Sequence, residues 1–332
     1  MFSWDGKPVG QTLLGPERKG ANRNGSGSNP SPATDGLNLF VYFKSGTLAA
    51  LNLKGKLLWK VNLQDQYGKD TLYWDIGTSP VLTAKDVVVA VMHNGGSYLV
   101  AFDKLTGKLH WKMDRNYETP VECDHSYATP IVTRRDGREE LLVWGAEHLT
   151  AHDPGDGKLL WSCGDFNPDM KKNWVVVASA VVVGDMAVVP YGRGTRLYGI
   201  RLGGSGDVTT SHRAWIREGA GAFVPTPAVY KGRVYFLGDR GEIQCVNPGN
   251  GEVLWRDALP KASASYYSSP TVAAGKMYAA REDGAVFVAK VEGGFELLAE
   301  NDMREPIIAT PVPVANRLLL RGAEHLFCVG TE

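Results

Sequence analysis

The pentapeptide GAEHL occurs twice, at 145–149 and at 322–326, and so sets two Glu-His pairs 177 residues apart. A carboxylate beside an imidazole offers oxygen and nitrogen donors to a metal ion, or an acid and a base for proton transfer. A stretch of similar chemistry, Glu122-Cys123-Asp124-His125-Ser126-Tyr127, lies just upstream of the first pair. Asp124, His125, Glu147 and His148 therefore form a candidate ligand set. Nothing in their spacing fixes it in the way that CxxC fixes a zinc site, and the plainer reading is a solvated loop bonded to a polar turn. The four cysteines, Cys123, Cys163, Cys245 and Cys328, are scattered, which argues against zinc, covalent haem and a dense disulfide framework. No GxSxG, Walker A or HExxH pattern is present. The motifs therefore predict no catalytic residue, no metal and no cofactor.

The bulk properties exclude other classes. Thirty-six basic and thirty-six acidic residues cancel, so no global field points to nucleic acid or an anionic membrane. No apolar run approaches the roughly 20 residues that cross a bilayer, and no transmembrane segment is expected. The first residues, MFSWDGKPVG, lack the basic start and apolar stretch of a signal peptide. Asn24-Gly25-Ser26 fits a glycosylation acceptor, a pattern that a short glycine-rich loop also produces by chance.

The elements that must carry these residues are set by an internal repeat. A small residue, usually followed by proline and an apolar run, recurs at Ser31-Pro32, Ser79-Pro80, Thr129-Pro130, Ser179-Ala180, Thr226-Pro227, Ser269-Pro270 and Thr310-Pro311. The steps are 48, 50, 50, 47, 43 and 41 residues. A second anchor runs out of phase with it: GKLLW to Trp59, GKLHW to Trp111, GKLLW to Trp161 and GEVLW to Trp255, with a weaker copy, SHRAW, ending at Trp215. Between the anchors stand short β-branched and aromatic runs separated by Gly, Asn and Asp turns, with no 3.6-residue stripe. Four-stranded units at this period predict an all-β, seven-bladed β-propeller forming a single domain over residues 1–332, with blades starting near 31, 79, 129, 179, 226, 269 and 310. The last unit is one strand short. FSWDGKPVGQTLL aligns with LNLKGKLLWKVNL, with Gly10 standing where Trp59 stands, so residues 2–14 are expected to pair in the last blade as its fourth strand and close the ring.

Around the second anchor, Ala101-Phe-Asp103-Lys-Leu-Thr106-Gly107-Lys108-Leu-His-Trp111 resembles the AxDxxTGKxxW repeat of the PQQ-like β-propellers, and Ala151-His-Asp153-Pro-Gly-Asp-Gly157-Lys158-Leu-Leu-Trp161 is a near match. That group includes BamB-type assembly lipoproteins and quinoprotein dehydrogenases; WD-type repeats share the blade architecture. The resemblance implies the fold and a periplasmic or otherwise extracytoplasmic location. It implies PQQ and calcium only where an adjacent Cys-Cys pair and matching calcium ligands are present, and here neither is found. Trp59, Trp111, Trp161, Trp215 and Trp255 are expected to dock neighbouring blades through their large apolar faces.

In a meander of four strands, the turn from the second to the third strand shares a face with the loops joining one blade to the next. Both GAEHL copies fall at such turns, in the third and seventh units, and so are one turn sequence used twice. A turn two strands out sits roughly 10–12 Å from the axis. Turns on nearly opposite blades are then about 20 Å apart, too far for metal bonds of about 2 Å. The joining loops differ in every blade and carry aromatic and charged residues. The expected binding residues on this face are Trp74, Asp75, Asp124, His125, Tyr127, Glu147, His148, Trp174, Tyr266, Arg304, Glu324 and His325. The reading is a non-catalytic binding or scaffold propeller whose partner is a protein, peptide or glycan. The alternative is a quinoprotein-like alcohol or sugar dehydrogenase.

Overall fold

A computed structural model describes residues 1–21 and 25–330, and the acceptor Asn24 lies outside the described residues. The chain is a seven-bladed β-propeller of small antiparallel sheets with almost no helix. It divides into two compact units, Met1–Val176 with Gly204–Val208, and Val177–Gly203 with Thr209–Glu332. The first unit holds blade 1 (Ala33–Thr34, Asn38–Tyr42, Thr47–Asn52, Leu57–Asn62) and blade 2 (Val81–Leu82, Asp86–Val91, Tyr98–Asp103, Leu109–Asp114). Blade 3 (Ile131–Arg135, Arg138–Gly145, His148–His152, Leu159–Cys163) completes it, and gains Gly206–Asp207 as a parallel fifth strand. The second unit holds blade 4 (Val181–Val183, Met186–Tyr191, Arg196–Arg201, Arg213–Glu218) and blade 5 (Ala228–Tyr230, Arg233–Leu237, Glu242–Val246, Val253–Ala258). Blade 6 (Thr271–Ala273, Lys276–Ala280, Ala285–Lys290, Glu296–Asp302) and blade 7 (Val312–Val314, Arg317–Arg321, Leu326–Gly330) follow.

Both sequence anchors have a job between blades. The hydroxyl before each proline accepts the backbone N–H of its counterpart in the preceding blade: Ser31 N donates to Ser79 Oγ at 2.9 Å and Ser79 N to Thr129 Oγ1 at 3.0 Å. The second unit repeats the chain, from Ser179 N to Thr226 Oγ1 (3.0 Å), Thr226 N to Ser269 Oγ (3.0 Å) and Ser269 N to Thr310 Oγ1 (3.2 Å). Proline, which has no N–H, then opens the short inner strand without leaving a donor unpaired. The outer anchor works through the ring. Each docking Trp faces a small residue of its own third strand, as in Ala50 with Trp59, Ala101 with Trp111 and Ala151 with Trp161. A register shift follows that pair and increases the local twist. The indole Nε1 then donates to a carbonyl in the next blade's tight turn: Trp59 to Lys104 O (2.9 Å), Trp111 to Pro154 O (2.9 Å) and Trp215 to Pro248 O (2.8 Å). Apolar clusters fill the spaces between blades, for instance Val88, Leu99 and Trp111 against Leu141 and Val143. Trp111 and Trp161 are buried, while Trp59, Trp215 and Trp255 are half-buried. The outer strand of blade 3 pairs along its free side with the insert, Trp161 opposite Gly206 and Ser162 opposite Asp207.

The expected closing strand is corrected by the structure. Blade 7 has three strands among the described residues, and residues 2–14 belong to none of them. The segment folds on itself through a Phe2–Pro8 bridge and a bond from the Met1 amino group to Gly10 O at 2.7 Å. It lies against blade 1, where Thr12 Oγ1 donates to Gly55 O, Lys60 Nζ to Leu14 O at 3.2 Å, and Leu14 packs on Val41, Ala49 and Leu51. Pro8 cannot donate to a ladder, and Gly10 lacks the indole that fixes an outer strand elsewhere, so the alignment overstated its strand character.

Candidate functional site

In the first unit, the loops joining blades 1 to 2, 2 to 3 and 3 to 4 are tied to one another by their backbones. Trp74 N donates to Tyr127 Oη at 3.2 Å, Tyr127 N to Val176 O at 2.8 Å and Val176 N to His125 O at 3.1 Å. Asn173 N donates to Val121 O at 2.9 Å and Cys123 Sγ to Lys171 O at 3.3 Å. Asp75 anchors the first loop from inside. It is buried, forms an ion pair with the equally buried Lys44, and accepts Ala21 N at 2.8 Å. Asp75, Glu122, Met170 and Asn173 all hold positive φ, a region that costs a non-glycine residue of order 1–3 kcal/mol and persists only where the surroundings impose it. On this rigid framework four large apolar side chains stand in solvent: Tyr73 and Trp74, packed edge to face at 5.0 Å, with Val121 and Met170. Each is more than half exposed.

The first GAEHL turn is a different environment. Gly145 pairs with His148, and Ala146 and Glu147 between them have φ of 49° and 57°, the two left-handed centres of a tight hairpin turn. Glu147 Oε1 accepts from Asn167 Nδ2 at 2.6 Å. His148 stacks on Tyr117 with centroids 3.8 Å apart, and its Nδ1 donates to Ala146 O at 2.8 Å. Beneath the turn, Arg115 is buried, and its guanidinium donates to Thr150 Oγ1 (2.9 Å), His148 O (2.9 Å) and Gly145 O (3.1 Å). Burial pushes that guanidinium down to about 10. Burial also lowers His148, and it takes His152 down to about 4, with the nearby Arg115 charge adding to both. This is a packed joint holding neutral imidazoles.

In the second unit the same pentapeptide does something else. Glu305, from the loop that leads into blade 7, accepts His325 N (3.0 Å) and Glu324 N (3.3 Å) on one oxygen and bonds His325 Nδ1 at 2.8 Å with the other. The hydrogen bond raises His325 and lowers Glu305 from their ordinary values. Ala323 and Glu324 are free of positive φ. Tyr266 is buried, and burial takes its phenol up to about 12. Arg304 is exposed, and its own N–H is held by Asp302 Oδ1 at 2.8 Å.

The expected site residues thus separate into groups. Trp74, Arg304, Glu324 and His325 are at the surface; Asp124, His148 and Trp174 are half-buried; Asp75, His125, Tyr127, Glu147 and Tyr266 are buried and serve the framework. Asp124, His125, Glu147 and His148 do not assemble as ligands. Asp124 Oδ1 lies 3.9 Å from His125 Nε2, while Glu147 is engaged by Asn167. Among the described residues, the donor atoms that do converge belong to Glu305, Glu324 and His325. Sequence reasoning missed Tyr73, Val121, Met170 and Glu305. A single bulky apolar residue amid polar loop residues was the available signal for Val121 and Met170, and for Tyr73 it was its place beside Trp74. The converging donors come from two segments, Glu305 from the loop that leads into blade 7 and Glu324 and His325 from the second GAEHL turn, and none of the four cysteines adjoins another in sequence.

Known proteins place this geometry in context. A BamB from Yersinia pestis, an outer membrane protein assembly factor, is 22% identical over 315 residues, which cover 92% of this chain and 75% of that protein. The crystal structure of BamB from Moraxella catarrhalis superposes with a TM-score of 0.63 at 18% identity, covering 87% of this chain and 80% of that one. A europium-containing methanol dehydrogenase gives 0.65 at 13% identity, covering 89% and 71%. Structural likeness at these identities concerns the fold alone. Sequence similarity to the PQQ-repeat family described as outer membrane protein assembly factor BamB extends over residues 4–163, 44–211 and 204–297. The chain therefore belongs to that BamB-type PQQ-repeat propeller family.

Proposed function

We propose that the chain is a non-catalytic binding propeller that presents the loop face of its first unit to a partner protein outside the cytoplasm. The observation that carries this reading is the exposed Tyr73–Trp74 pair, with Val121 and Met170, on loops whose backbones are bonded to one another. Aromatic side chains held in place before association lose little entropy on binding and are the residue types that dominate interface energetics. The family supports the class of partner, since its relatives are named for assembly of outer membrane proteins. Catalysis by bound quinone has less support, because the cysteines are single and two of the candidate acidic donors, Asp75 and Glu147, are engaged by Lys44 and Asn167.

Two assays separate the readings. Incubating the protein with PQQ and calcium, then measuring dye-linked alcohol oxidation, is expected to give no turnover above the blank; clear turnover would reverse the assignment. Substituting Tyr73→Ser with Trp74→Ser is expected to lower capture of a purified partner at least tenfold at unchanged thermal midpoint. Undiminished capture removes the aromatic pair from the interface.

A further inference from the structure

The turns from the first to the second strand and from the third to the fourth lie on the face opposite the joining loops. In blades 1 and 2 these turns carry side chains that the repeat does not require. Leu37, Leu53 and Leu105 stand on them, 75%, 59% and 74% exposed. Lys54, Lys56, Lys85 and Lys108, also on these turns, are exposed as well. The outer turns of blades 3 and 5, at 153–158 and 247–252, have Pro-Gly and no leucine, and Lys158 is the one basic residue in the two. Leucine is not a turn former, so the fold gives no reason for three of them here.

The four turns form one continuous surface. Asn38, at the end of the first, pairs with Asn52 at the start of the second. Blade 1 meets the outer turn of blade 2 where Trp59 Nε1 donates to Lys104 O at 2.9 Å. Lys104 N then donates to Lys85 O at 3.1 Å, and its Nζ to Thr83 O at 3.0 Å, which joins the outer turn to the inner one. Hydrogen bonding from Asn38 N holds the Asp35 carboxyl below its ordinary range, and the Lys104 charge reaches it across the blade boundary. The carboxylates of this surface are folded back on their own turns. Asp35 Oδ1 accepts Leu37 N at 3.0 Å and Asn38 N at 2.8 Å, and Asp103 Oδ1 accepts Thr106 N at 2.8 Å. Asp86 is buried against His110. A chain of zero net charge thus carries a local excess of positive charge on this face.

We propose that this face of blades 1 and 2 docks on an anionic lipid surface, with the leucines entering the headgroup layer and the lysines set against lipid phosphates. Apolar burial and attraction to anionic lipid add at a membrane interface, and each basic side chain near the surface contributes separately. Charge alone would serve a nucleic acid or free phosphate, but neither makes use of exposed leucine, and the four turns carry no aromatic ring on which a base could stack. A protein partner needs a surface shaped to match, whereas leucines on separate turns enter a fluid layer independently. The contact is peripheral, and it leaves the joining loops of the first unit facing away from the lipid. It does not depend on the function proposed for those loops.

Flotation of the full chain with vesicles tests the contact. At low ionic strength the chain is expected to float with vesicles of phosphatidylcholine mixed with phosphatidylglycerol, and not with phosphatidylcholine alone. Added salt should weaken the binding, because exposed charges are then screened. Lys54→Glu with Lys85→Glu and Lys108→Glu, and separately Leu37→Ser with Leu105→Ser, should each weaken it at least tenfold. All five side chains are exposed, so the thermal midpoint should stay in place. A chain that floats with neither kind of vesicle overturns the proposal. So does binding that either set of changes leaves intact. Binding lost instead through Tyr73→Ser with Trp74→Ser also overturns it, since the lipid then lies on the joining-loop face.

Discussion

The indole of Trp111 lies over Gly157 of the next blade, so close that a Cβ on that glycine would stand 2.6 Å from the ring. Gly157 has φ of 76°, and Trp111 Nε1 reaches past it to Pro154 O at 2.9 Å. Ring, turn and hydrogen bond are one joint between two blades. Trp59 over Gly107 and Trp215 over Gly251 repeat it, with Cβ approaches of 2.5 Å at both glycines. The glycine of the repeat thus answers two demands at once, a left-handed backbone and room for an indole.

Trp111→Ala is expected to destabilise the protein by about 3–5 kcal/mol, as for other large buried truncations. Gly157→Ala costs the left-handed backbone term of about 1–2 kcal/mol and, in addition, the displacement of the ring. Urea unfolding of both single variants and the double variant separates the terms. With Trp111 already removed, Gly157→Ala should cost only the backbone term. Fully additive costs would mean that ring and glycine are not coupled.

The hydroxyl relay can be tested at Thr226, whose Oγ1 accepts Ser179 N at 3.0 Å. Thr226→Val keeps the shape and leaves that N–H without its acceptor, at an expected cost of about 1–3 kcal/mol. A loss below about 0.5 kcal/mol in chemical denaturation would show that solvent replaces the hydroxyl and that the relay contributes little.

Blade 3 should be sensitive to acid. His152 donates from Nδ1 to Gly157 O (2.9 Å) and accepts Thr150 Oγ1–H at Nε2 (3.0 Å), so it is held neutral, with its pKa taken down to about 4 by burial. Between about 4 and the ordinary 6.5 the unfolded chain binds the proton and the folded chain does not, so stability rises with pH across this window. The contribution is complete above 6.5 and is lost as pH falls towards 4, about 3 kcal/mol in all. His148 is lowered for the same reason and adds in the same direction. Urea midpoints between pH 7 and 4.5 should therefore fall, and fall less in His152→Gln. An unchanged slope in that variant would place the sensitivity elsewhere.

Much of the fold is legible in the sequence because each repeat carries its own joint. Ser-Pro, the turn glycine and the outer Trp are local signatures of contacts made to the adjacent blade, so their period reads out the blades. The same locality limits the signal at the last blade. Residues 2–14 carry the turn of an outer strand, but Pro8 and Gly10 remove the ladder donor and the ring that hold one in place. The site was harder to read, since side-chain type does not report depth. Asp75 and Glu147 look like surface charges in loops, yet their partners stand far off in sequence, Lys44 31 residues before Asp75 and Asn167 20 residues after Glu147, separations that no local pattern connects. The two GAEHL copies make the point within one pentapeptide. One copy is a strained hairpin turn packed over Arg115 and the other an open turn held by Glu305.

Loop residues that look interchangeable in sequence should therefore behave differently. Trp74→Ala is expected to leave the thermal midpoint within about 1 °C, because the ring is exposed. His125→Ala and Tyr127→Ala should each lower it by several degrees, because both side chains are buried in the loop framework. Differential scanning fluorimetry distinguishes the cases, and a large shift for Trp74→Ala would assign that ring to packing.

On the proposed reading, the joining-loop face of the first unit is the surface that a partner engages. Photo-crosslinking tests it most directly, with benzoylphenylalanine placed at position 74 or 121, or at position 105 in the tight turn of blade 2 on the opposite face. In extract of the source organism, one protein adduct shared by positions 74 and 121 is expected, lost on competition with unlabelled chain, and none from 105. The same adduct from 105 with none from 74 or 121 would contradict it.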